Sequence, residues 1–222
     1  MRIGFDAKRA FNNTRGLGNY SRDTIRILTT QYPDNQYDLF TPAKRNDILF
    51  TLPDNSSVVL PGSFFDRTFP SFWRTFSLAK LAEKSNLDIY HGLSHELPLG
   101  IEKTRVKSVV TMHDLIFLKF PNLYPFIDRK LYKKKYLHSC GVANHIIATS
   151  EQTKRDLVEL ARIPEDKITV VYQGCNPVFN HEVSLAQKAR VREKYCLPAQ
   201  FILNVGALEK RKNQLLKEDQ NH

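Results

Sequence analysis

Short strand-like runs alternate with helix-like runs over residues 1–175, and this alternation constrains the fold more than any other feature of the sequence. Runs rich in apolar and β-branched residues predict seven strands, at Arg2–Asp6, Tyr37–Thr41, Val58–Leu60, Asp88–His91, Lys107–Met112, His145–Thr149 and Ile168–Tyr172. Helical periodicity between them predicts helices at Asn19–Thr30, Pro70–Lys84 and Glu151–Ala161. Ser150 has the hydroxyl expected of an N-cap for the last of these helices. Because such alternation is typical of a parallel sheet covered by helices on both faces, we predict an α/β, Rossmann-like domain.

The sequence after residue 175 predicts a different organisation. Residues 176–200 indicate a linker followed by a connecting helix at Ser184–Tyr195, and Phe201–Gly206 predicts a further strand. We interpret residues 201–222 as the first strand and phosphate loop of a second Rossmann-like domain. One βαβ unit needs about 30 residues, so this second domain would be truncated. We therefore expect a fragment or a naturally truncated product, in which Ser184–His222 is less well anchored than the rest.

The composition limits the classes of partner. A net charge of +10, from 33 Lys and Arg against 23 Asp and Glu, favours an anionic partner: nucleic acid, a phosphorylated substrate or an acidic membrane surface. Cys140, Cys175 and Cys196 form no CxxC pair and no zinc-binding spacing, and so sparse a set is typical of the reducing cytoplasm. No apolar run is as long as the roughly 18 residues that indicate a membrane-spanning helix. We therefore expect a cytoplasmic protein.

Two glycines, Gly16 and Gly18, stand between the first predicted strand and the first predicted helix. Glycine lets a ligand approach the backbone, and free N–H groups at a helix start attract anions; the alternative is a flexible loop with two turn glycines. A dinucleotide site needs a third glycine, where this chain has Ser21, and an acid at the end of the second strand, whereas Asp38 stands near its start. A nicotinamide-dependent oxidoreductase is therefore disfavoured.

His113 and Asp114 directly follow the fifth predicted strand, at the edge of the sheet where α/β proteins bind ligands. A histidine there can bind a sugar hydroxyl or a phosphate, or transfer a proton near neutral pH; the alternative is a structural histidine. His91 and His95 lie at the end of another strand, next to Glu96. Metal binding is a weak alternative for them, because no third ligand has suitable spacing.

Two basic segments are candidate binding surfaces. Residues 128–136 carry five cations against one acid, and at helical spacing four of them crowd one side: Arg129, Lys130, Lys133 and Lys134. This face could bind an acidic membrane or a phosphorylated acceptor, or could simply be solvated. Nucleic acid is disfavoured, because Tyr132 and Tyr136 need not form a stacking platform. The second segment, Gly206–Asn213, is either a diphosphate cradle or a charged tail.

Four ordered segments together resemble the retaining, nucleotide-sugar-dependent glycosyltransferases of family 4, the mannosyl- and glucosyltransferase group with the GT-B fold. The segments are Arg2–Ala7, Thr14-Arg-Gly-Leu-Gly-Asn-Tyr20, Val110-Thr-Met-His-Asp-Leu115 and Asn204-Val-Gly-Ala-Leu-Glu-Lys-Arg-Lys-Asn213. The resemblance spans almost the whole chain. It implies that residues 1–175 form the acceptor-side domain, that a C-terminal domain binds the nucleotide sugar, and that the reaction occurs in the cleft between them.

The resemblance also implies roles for individual residues. His113 would be the catalytic residue facing the transferred sugar. The acceptor side would be lined by Asp114, His91 and His95. The donor would be bound by Gly16, Gly18, Gly206, Arg211 and Lys212. The last two would stabilise the charge of the leaving diphosphate, so that no metal is required. No cofactor is implied beyond the donor substrate, of the GDP-mannose or UDP-glucose type.

From the resemblance we expect transfer of a hexosyl group, mannosyl rather than glucosyl, to a growing polysaccharide or a lipid-linked glycan, in the cytoplasm or at the inner face of the membrane. The resemblance implies that the family's later Glu-x7-Glu motif and its nucleotide-binding helices lie beyond residue 222, and residues 214–222 contain nothing that replaces them. The chain alone is therefore expected to have little or no transferase activity. The alternative is a catalytically inactive domain that acts only as a glycan- or partner-binding module.

Overall fold

A single seven-stranded sheet organises the computed structural model, which describes residues 1–43 and 51–206. Its strands are β1 Arg2–Asp6, β2 Gln36–Phe40, β3 Ser56–Val59, β4 Ile89–Gly92, β5 Lys107–Met112, β6 His145–Ala148 and β7 Ile168–Val170. They run parallel in the order β3-β2-β1-β4-β5-β6-β7. The predicted α/β parallel fold is confirmed. The order reverses between β1 and β4, which is where sheets of this kind form a ligand-binding crevice.

Helices connect the strands. The α-helices are α1 Lys8–Asn12, α2 Gly16–Gln31, α3 Phe64–Thr68, α4 Pro70–Phe72, α5 Leu78–Lys84, α6 Ile116–Lys119, α7 Phe126–Val142, α8 Glu151–Ala161 and α9 Leu185–Lys194. A π-helical segment, Trp73–Ser77, joins α4 to α5, so the predicted helix at Pro70–Lys84 contains one widened stretch. Ser150 caps α8 as predicted, because its Oγ accepts the Thr153 N–H at 3.1 Å.

Apolar side chains bury both faces of the sheet. On one face Phe5 and Leu39 pack with Ile25 of α2. On the other, Val110 and Met112 pack in the cluster that also holds residues of α5, α7 and α8. Successive strand residues point to opposite faces, so a strand that is covered on both sides reads as a continuous apolar run. Because both faces of the sheet are buried, the strands can be predicted from their apolar runs in the sequence.

The chain divides into two compact units after Gly174, close to the predicted boundary at residue 175. In the second unit the predicted helix is present as α9, with Ser184 as its N-cap. The predicted strand at Phe201–Gly206 is wrong: residues 201–205 have no regular structure, and Ile202 is 93% exposed. A strand needs a neighbour for its N–H and C=O groups, and the described part of this unit offers none. The three-part domain assignment stays a prediction.

A buried ion cluster joins four elements around the point where the strand order reverses. Arg74, in the π-helical segment, forms ion pairs with Asp6 at the end of β1 and with Glu96 in the β4–β5 loop, the latter at 3.2 Å. Lys135 of α7 lies 3.2 Å from the other oxygen of Glu96. The Arg74 and Asp6 side chains are only 11% and 6% exposed, so each neutralises a charge that water does not reach.

We predict that Arg74→Met lowers the free energy of unfolding by about 3–5 kcal/mol, because it leaves the Asp6 carboxylate buried without its cationic partner. Urea unfolding measures the change. Arg26→Met is the matched control: Arg26 pairs with Asp23 at 3.4 Å on the surface of α2, and its loss should cost less than about 1 kcal/mol. Equal losses in the two variants would contradict the structural role of the cluster.

Candidate functional site

The candidate site lies at the carboxyl ends of β4 and β5. These strands are neighbours in the sheet, with Gly92 paired to Val110, so the residues that follow them share one edge. His91 belongs to the end of β4, His95 to the loop after it, and His113 comes directly after β5. The structure therefore brings together the three histidines that the sequence singles out.

His113 has a defined tautomer. Its Nε2 lies 3.0 Å from the carbonyl oxygen of Leu93, which can only accept, so Nε2 carries the proton. Its Nδ1 is therefore an acceptor, and the side-chain amide of Gln173 donates to it at 3.1 Å. Partial burial lowers the pKa of His113 below its ordinary value, an effect larger than the opposing one of the Leu93 carbonyl. The ring is thus a neutral hydrogen-bond acceptor at pH 7 and is not a ready proton donor.

His95 contacts His113 directly, whereas His91 is bonded to Thr111 on the same strand end. The Nε2 of His95 accepts the backbone N–H of His113 at 3.0 Å, and their rings meet edge to face with centroids 5.0 Å apart. The Nε2 of His91 is 2.8 Å from the hydroxyl of Thr111. Burial, with a smaller contribution from His113, lowers the pKa of His91 to about 4 and that of His95 well below its ordinary value. Both rings are therefore neutral at pH 7.

Tyr20 connects helix α2 to this cluster. Its ring meets the His113 ring edge to face at 4.6 Å, and its hydroxyl lies 3.0 Å from that of Thr111. Tyr20 is in the first turns of α2, close after Gly16 and Gly18. The sequence predicts that the glycine segment lies close to His113, and Tyr20 is the residue of that segment that contacts the ring. The roles of the two glycines in donor binding stay predictions.

The two glycines differ in their surroundings, and the predicted glycine loop is instead the start of a helix. A Cβ on Gly18 would lie 1.8 Å from the carbonyl oxygen of Asn13, so this glycine allows α2 to pack against the preceding turn. A Cβ on Gly16 would meet nothing within 4 Å. The interpretation that glycine keeps the backbone open to a ligand therefore fits the environment of Gly16 and does not fit that of Gly18.

His91, His95 and Glu96 are not arranged as the ligands of one metal ion. The Nε2 of each ring is bonded to a protein group, as described above, and Glu96 is paired with Arg74 and Lys135. Across residues 1–43 and 51–206 no group of three or more His, Cys, Asp or Glu side chains is arranged to hold a metal ion. Asp114 is half-buried beside His113, and its Oδ1 accepts the Ile116 N–H at 3.3 Å.

The basic residues of α7 do not share one recess. Three of the four, Arg129, Lys130 and Lys133, line a cavity of about 410 Å³ with Phe117 and Phe126. Lys134 lines a different cavity, of about 310 Å³. The role of these four cations as one basic face stays a prediction. None of the helices in the described ranges is both long and apolar enough to cross a bilayer.

Gly206, a further predicted donor-binding residue, belongs to the second unit. Gly206 is exposed at a bend. Arg211 and Lys212 lie outside the described residues, so their roles stay predictions.

Sequence reasoning missed several residues that shape the site. Tyr20, Thr111 and Gln173 contact the histidines directly, and Thr149 and Thr153 donate their hydroxyls to the His113 carbonyl at 3.2 and 2.9 Å. The position of Thr111 can be predicted from the sequence. Side chains alternate between the two faces of a strand, so Thr111 lies on the opposite face of β5 from Val110 and Met112. Gln173 stands 60 positions from His113, and nothing local indicates their contact.

A family model described as Glycosyltransferase Family 4 matches residues 15–179, which is most of the chain and includes the site. The chain belongs to glycosyltransferase family 4. Its fold is that of the N-terminal domain of a GT-B enzyme, as the sequence predicts. The family assignment and the position of the histidine cluster at the sheet edge are independent observations.

Curated relatives match the chain over part of its length. It is 32% identical over 127 residues to the O-antigen chain mannosyltransferase B of Escherichia coli, a match that covers 56% of this chain and 32% of that protein. It is 28% identical over 131 residues to the serotype-specific mannosyltransferase WbdA of E. coli, covering 55% of this chain and 15% of that protein. The matched region thus spans a third or less of these relatives.

Solved structures confirm the fold. The structure of Alr3699/HepE from Anabaena in complex with UDP and glucose aligns with a TM-score of 0.66 at 14% identity, covering 98% of this chain and 56% of that one. A structure of the wall teichoic acid polymerase TagF aligns with a TM-score of 0.51 at 14% identity, covering 89% of this chain and 44% of that one. The chain spans about half the length of these two proteins.

We predict opposite effects for two neighbouring substitutions. Gly18→Ala should lower the free energy of unfolding by about 1–3 kcal/mol, since its Cβ would overlap the Asn13 carbonyl and force the backbone apart. Gly16→Ala should be neutral or stabilising by up to about 1 kcal/mol, since alanine favours helix and the space is open. Thermal unfolding of the two variants compares them directly; a Gly16→Ala loss as large as that of Gly18→Ala would contradict the packing argument.

We also predict that the protein loses stability as the pH falls from about 6.5 toward 4. His91 stays neutral when folded, with its pKa at about 4, whereas the unfolded chain binds a proton near pH 6.5. Acidification therefore favours the unfolded state, by about 1.4 kcal/mol per pH unit for this residue. His91→Gln should reduce the slope of unfolding free energy against pH in this range by about that amount. Val110→Ala, a core substitution without a titrating group, should lower stability and leave the slope unchanged.

Proposed function

We propose that this chain provides the acceptor-side domain of a retaining enzyme that transfers a mannosyl group from a nucleotide diphosphate sugar to a glycan acceptor. The family and the two mannosyltransferase relatives support a hexosyl group of this kind. The names of the relatives, which include an O-antigen chain enzyme, support a polysaccharide or lipid-linked glycan as acceptor. HepE, solved with UDP and glucose, supports a nucleotide diphosphate sugar as donor.

The observation that carries the proposal is the orientation of His113. Its Nδ1 is an acceptor whose present partner is the amide of Gln173, an exposed residue. A sugar hydroxyl can replace that amide and donate to the same nitrogen. The ring is held from the other side by Leu93, Tyr20 and His95, so its position is set before a substrate binds.

His113 acts in this proposal as a positioning acceptor for the transferred sugar. A neutral imidazole binds a hydroxyl without placing a positive charge next to the sugar as positive charge develops there in the transition state. The cations that would stabilise the leaving diphosphate are Arg211 and Lys212, whose proximity in sequence to Gly206 motivates their assignment. With those cations in place, the reaction proceeds without a metal cofactor.

Transfer from labelled donors tests the proposal. The gene product that contains this chain is incubated with mannose-terminated oligosaccharides and either ¹⁴C-labelled GDP-mannose or UDP-glucose, and the labelled product is isolated. We expect mannosyl transfer with retention of the anomeric configuration, read by NMR of the product. If the oligosaccharide binds but neither donor supports transfer, the proposed transferase activity is wrong and the binding-module alternative is favoured.

We predict that His113→Ala lowers kcat/KM by about 5- to 150-fold, the equivalent of about 1–3 kcal/mol for one lost polar contact in the transition state. The control is His145→Ala, which removes a half-buried histidine from the opposite end of the sheet, where it contacts Thr169. That variant should retain wild-type turnover. Because burial lowers the pKa of His113, its protonation should not limit the rate above pH 6.5. Wild-type kinetics in His113→Ala would remove the residue from the mechanism.

A further inference from the structure

A cavity of about 310 Å³ is lined by the buried ion cluster together with residues of the β4–β5 loop and of helix α7, and we call it the Arg74 cavity. Its volume is at the lower end of the range of about 300–1,000 Å³ that is typical of small-molecule sites in proteins. Five apolar residues form part of its wall: Phe76, Leu97, Pro98, Leu99 and Leu131. The cavity therefore has room for one small ligand in contact with apolar groups.

Two residues that line the Arg74 cavity each have a buried side-chain nitrogen without a hydrogen-bond partner among the residues that the structure describes. These nitrogens are the Nε of Arg74 and the Nε2 of His138. The Arg74 guanidinium uses its Nη2 for Asp6 and Glu96, so its Nε–H is left to donate elsewhere. Because a buried polar atom without a partner lowers stability, such atoms are uncommon in native proteins. Their presence in the wall of one cavity points to a ligand.

The charges around the Arg74 cavity favour a neutral ligand. The two cations and the two carboxylates of the buried ion cluster balance one another, so this group carries no net charge. A phosphate or a carboxylate in the cavity would lie next to Asp6 and Glu96, and like charges at close range repel. Lys134, which lines the cavity from outside the cluster, is exposed to solvent.

The polar groups of the lining require hydrogen-bonding atoms on that neutral ligand. The Arg74 Nε–H can only donate, so its partner must be an acceptor. Each carboxylate oxygen of Glu96 is paired with one cation and retains a lone pair that can accept a hydroxyl. A pyranose ring meets these requirements, because its hydroxyl groups both donate and accept while its C–H groups contact apolar side chains such as Phe76.

We propose that the Arg74 cavity binds one sugar residue of a glycan, as a saccharide site separate from His113. The proposal rests on the proposed function in one respect, which is that the sugar belongs to the acceptor. One hydroxyl oxygen accepts the Arg74 Nε–H, and a second hydroxyl pairs with the Nε2 of His138. Glu96 directly follows His95, whose ring accepts the His113 N–H, so the loop that positions His113 also lines the saccharide site.

Nuclear magnetic resonance of the ¹⁵N-labelled full chain tests the proposal without a donor sugar. The signals of the Arg74 Nε–H and of the His138 imidazole nitrogens are followed during titration with the methyl α-glycosides of mannose, glucose and galactose. Cyclohexanol and inorganic phosphate are titrated as the apolar and anionic alternatives. We expect saturable shifts of both signals with at least one sugar. No shift with any sugar, or tighter binding of cyclohexanol or phosphate, would overturn the proposal.

Two variants distinguish a ligand site from a structural cavity. His138→Phe keeps a ring and removes the unpartnered nitrogen, so it should raise Tm and yet weaken sugar binding by about fivefold or more. A side chain that serves stability alone would not show these opposite effects. Leu99→Trp should abolish binding, because Leu99 lines the cavity and is 39% exposed, so that a larger side chain fills the space.

The matched controls are His145→Phe and Leu160→Trp, which change a half-buried histidine and an exposed leucine that do not line the cavity. Both should bind sugar like the wild type. Equal losses of binding in the variants and their controls would show that the cavity is structural. So would a lower Tm with unchanged binding in His138→Phe.

The result is read independently of the transfer assay. Mannosyl transfer to oligosaccharides without sugar-dependent shifts of the Arg74 and His138 signals would overturn the saccharide site and leave the proposed function standing. Sugar-dependent shifts without transfer from either donor would contradict the proposed transferase activity and leave the saccharide site as part of a binding module.

Discussion

The guanidinium of Arg74 is the group on which the carboxyl edge of the sheet depends. It neutralises Asp6 at the end of β1 and Glu96 in the β4–β5 loop, and Glu96 in turn binds Lys135 of α7. A buried charge without a partner costs several kcal/mol, so these elements are held together as a set. The same loop carries His95, whose ring accepts the N–H of His113. The site therefore takes its geometry from an ion cluster that lies beside it.

The structure keeps two kinds of polar surface apart. At the sheet edge, burial keeps His91, His95 and His113 neutral, so that this site offers oriented hydrogen-bonding groups. Along α7, lysines are exposed next to exposed apolar side chains. Hydroxyl groups are suited to the first environment and anionic groups to the second. The neutral cluster at the sheet edge and the charged helix therefore use different residues.

The sequence predicts the sheet well because both faces of each strand are buried, and it places His113 at a strand end because β5 is a clear apolar run. It fails where structure depends on distant partners. Phe201–Gly206 has strand composition but no neighbouring strand in the described residues. Gly18 suggests access for a ligand but serves close packing, which requires the position of Asn13. Arg74 and Asp6 stand 68 positions apart, and no local pattern joins them.

The pairing of β1 with β4 sets the order in which the sheet can form. Ile3 lies opposite Ile89, so during synthesis β1 waits for residues some distance along the chain before its second edge is covered. Until then β1 can pair only with β2, and its apolar groups remain open to other chains. Parallel sheets with such distant pairings fold slowly and are exposed to aggregation during synthesis. Yield in a heterologous host should therefore depend on the rate of translation and on chaperones more than on the stability of the finished domain.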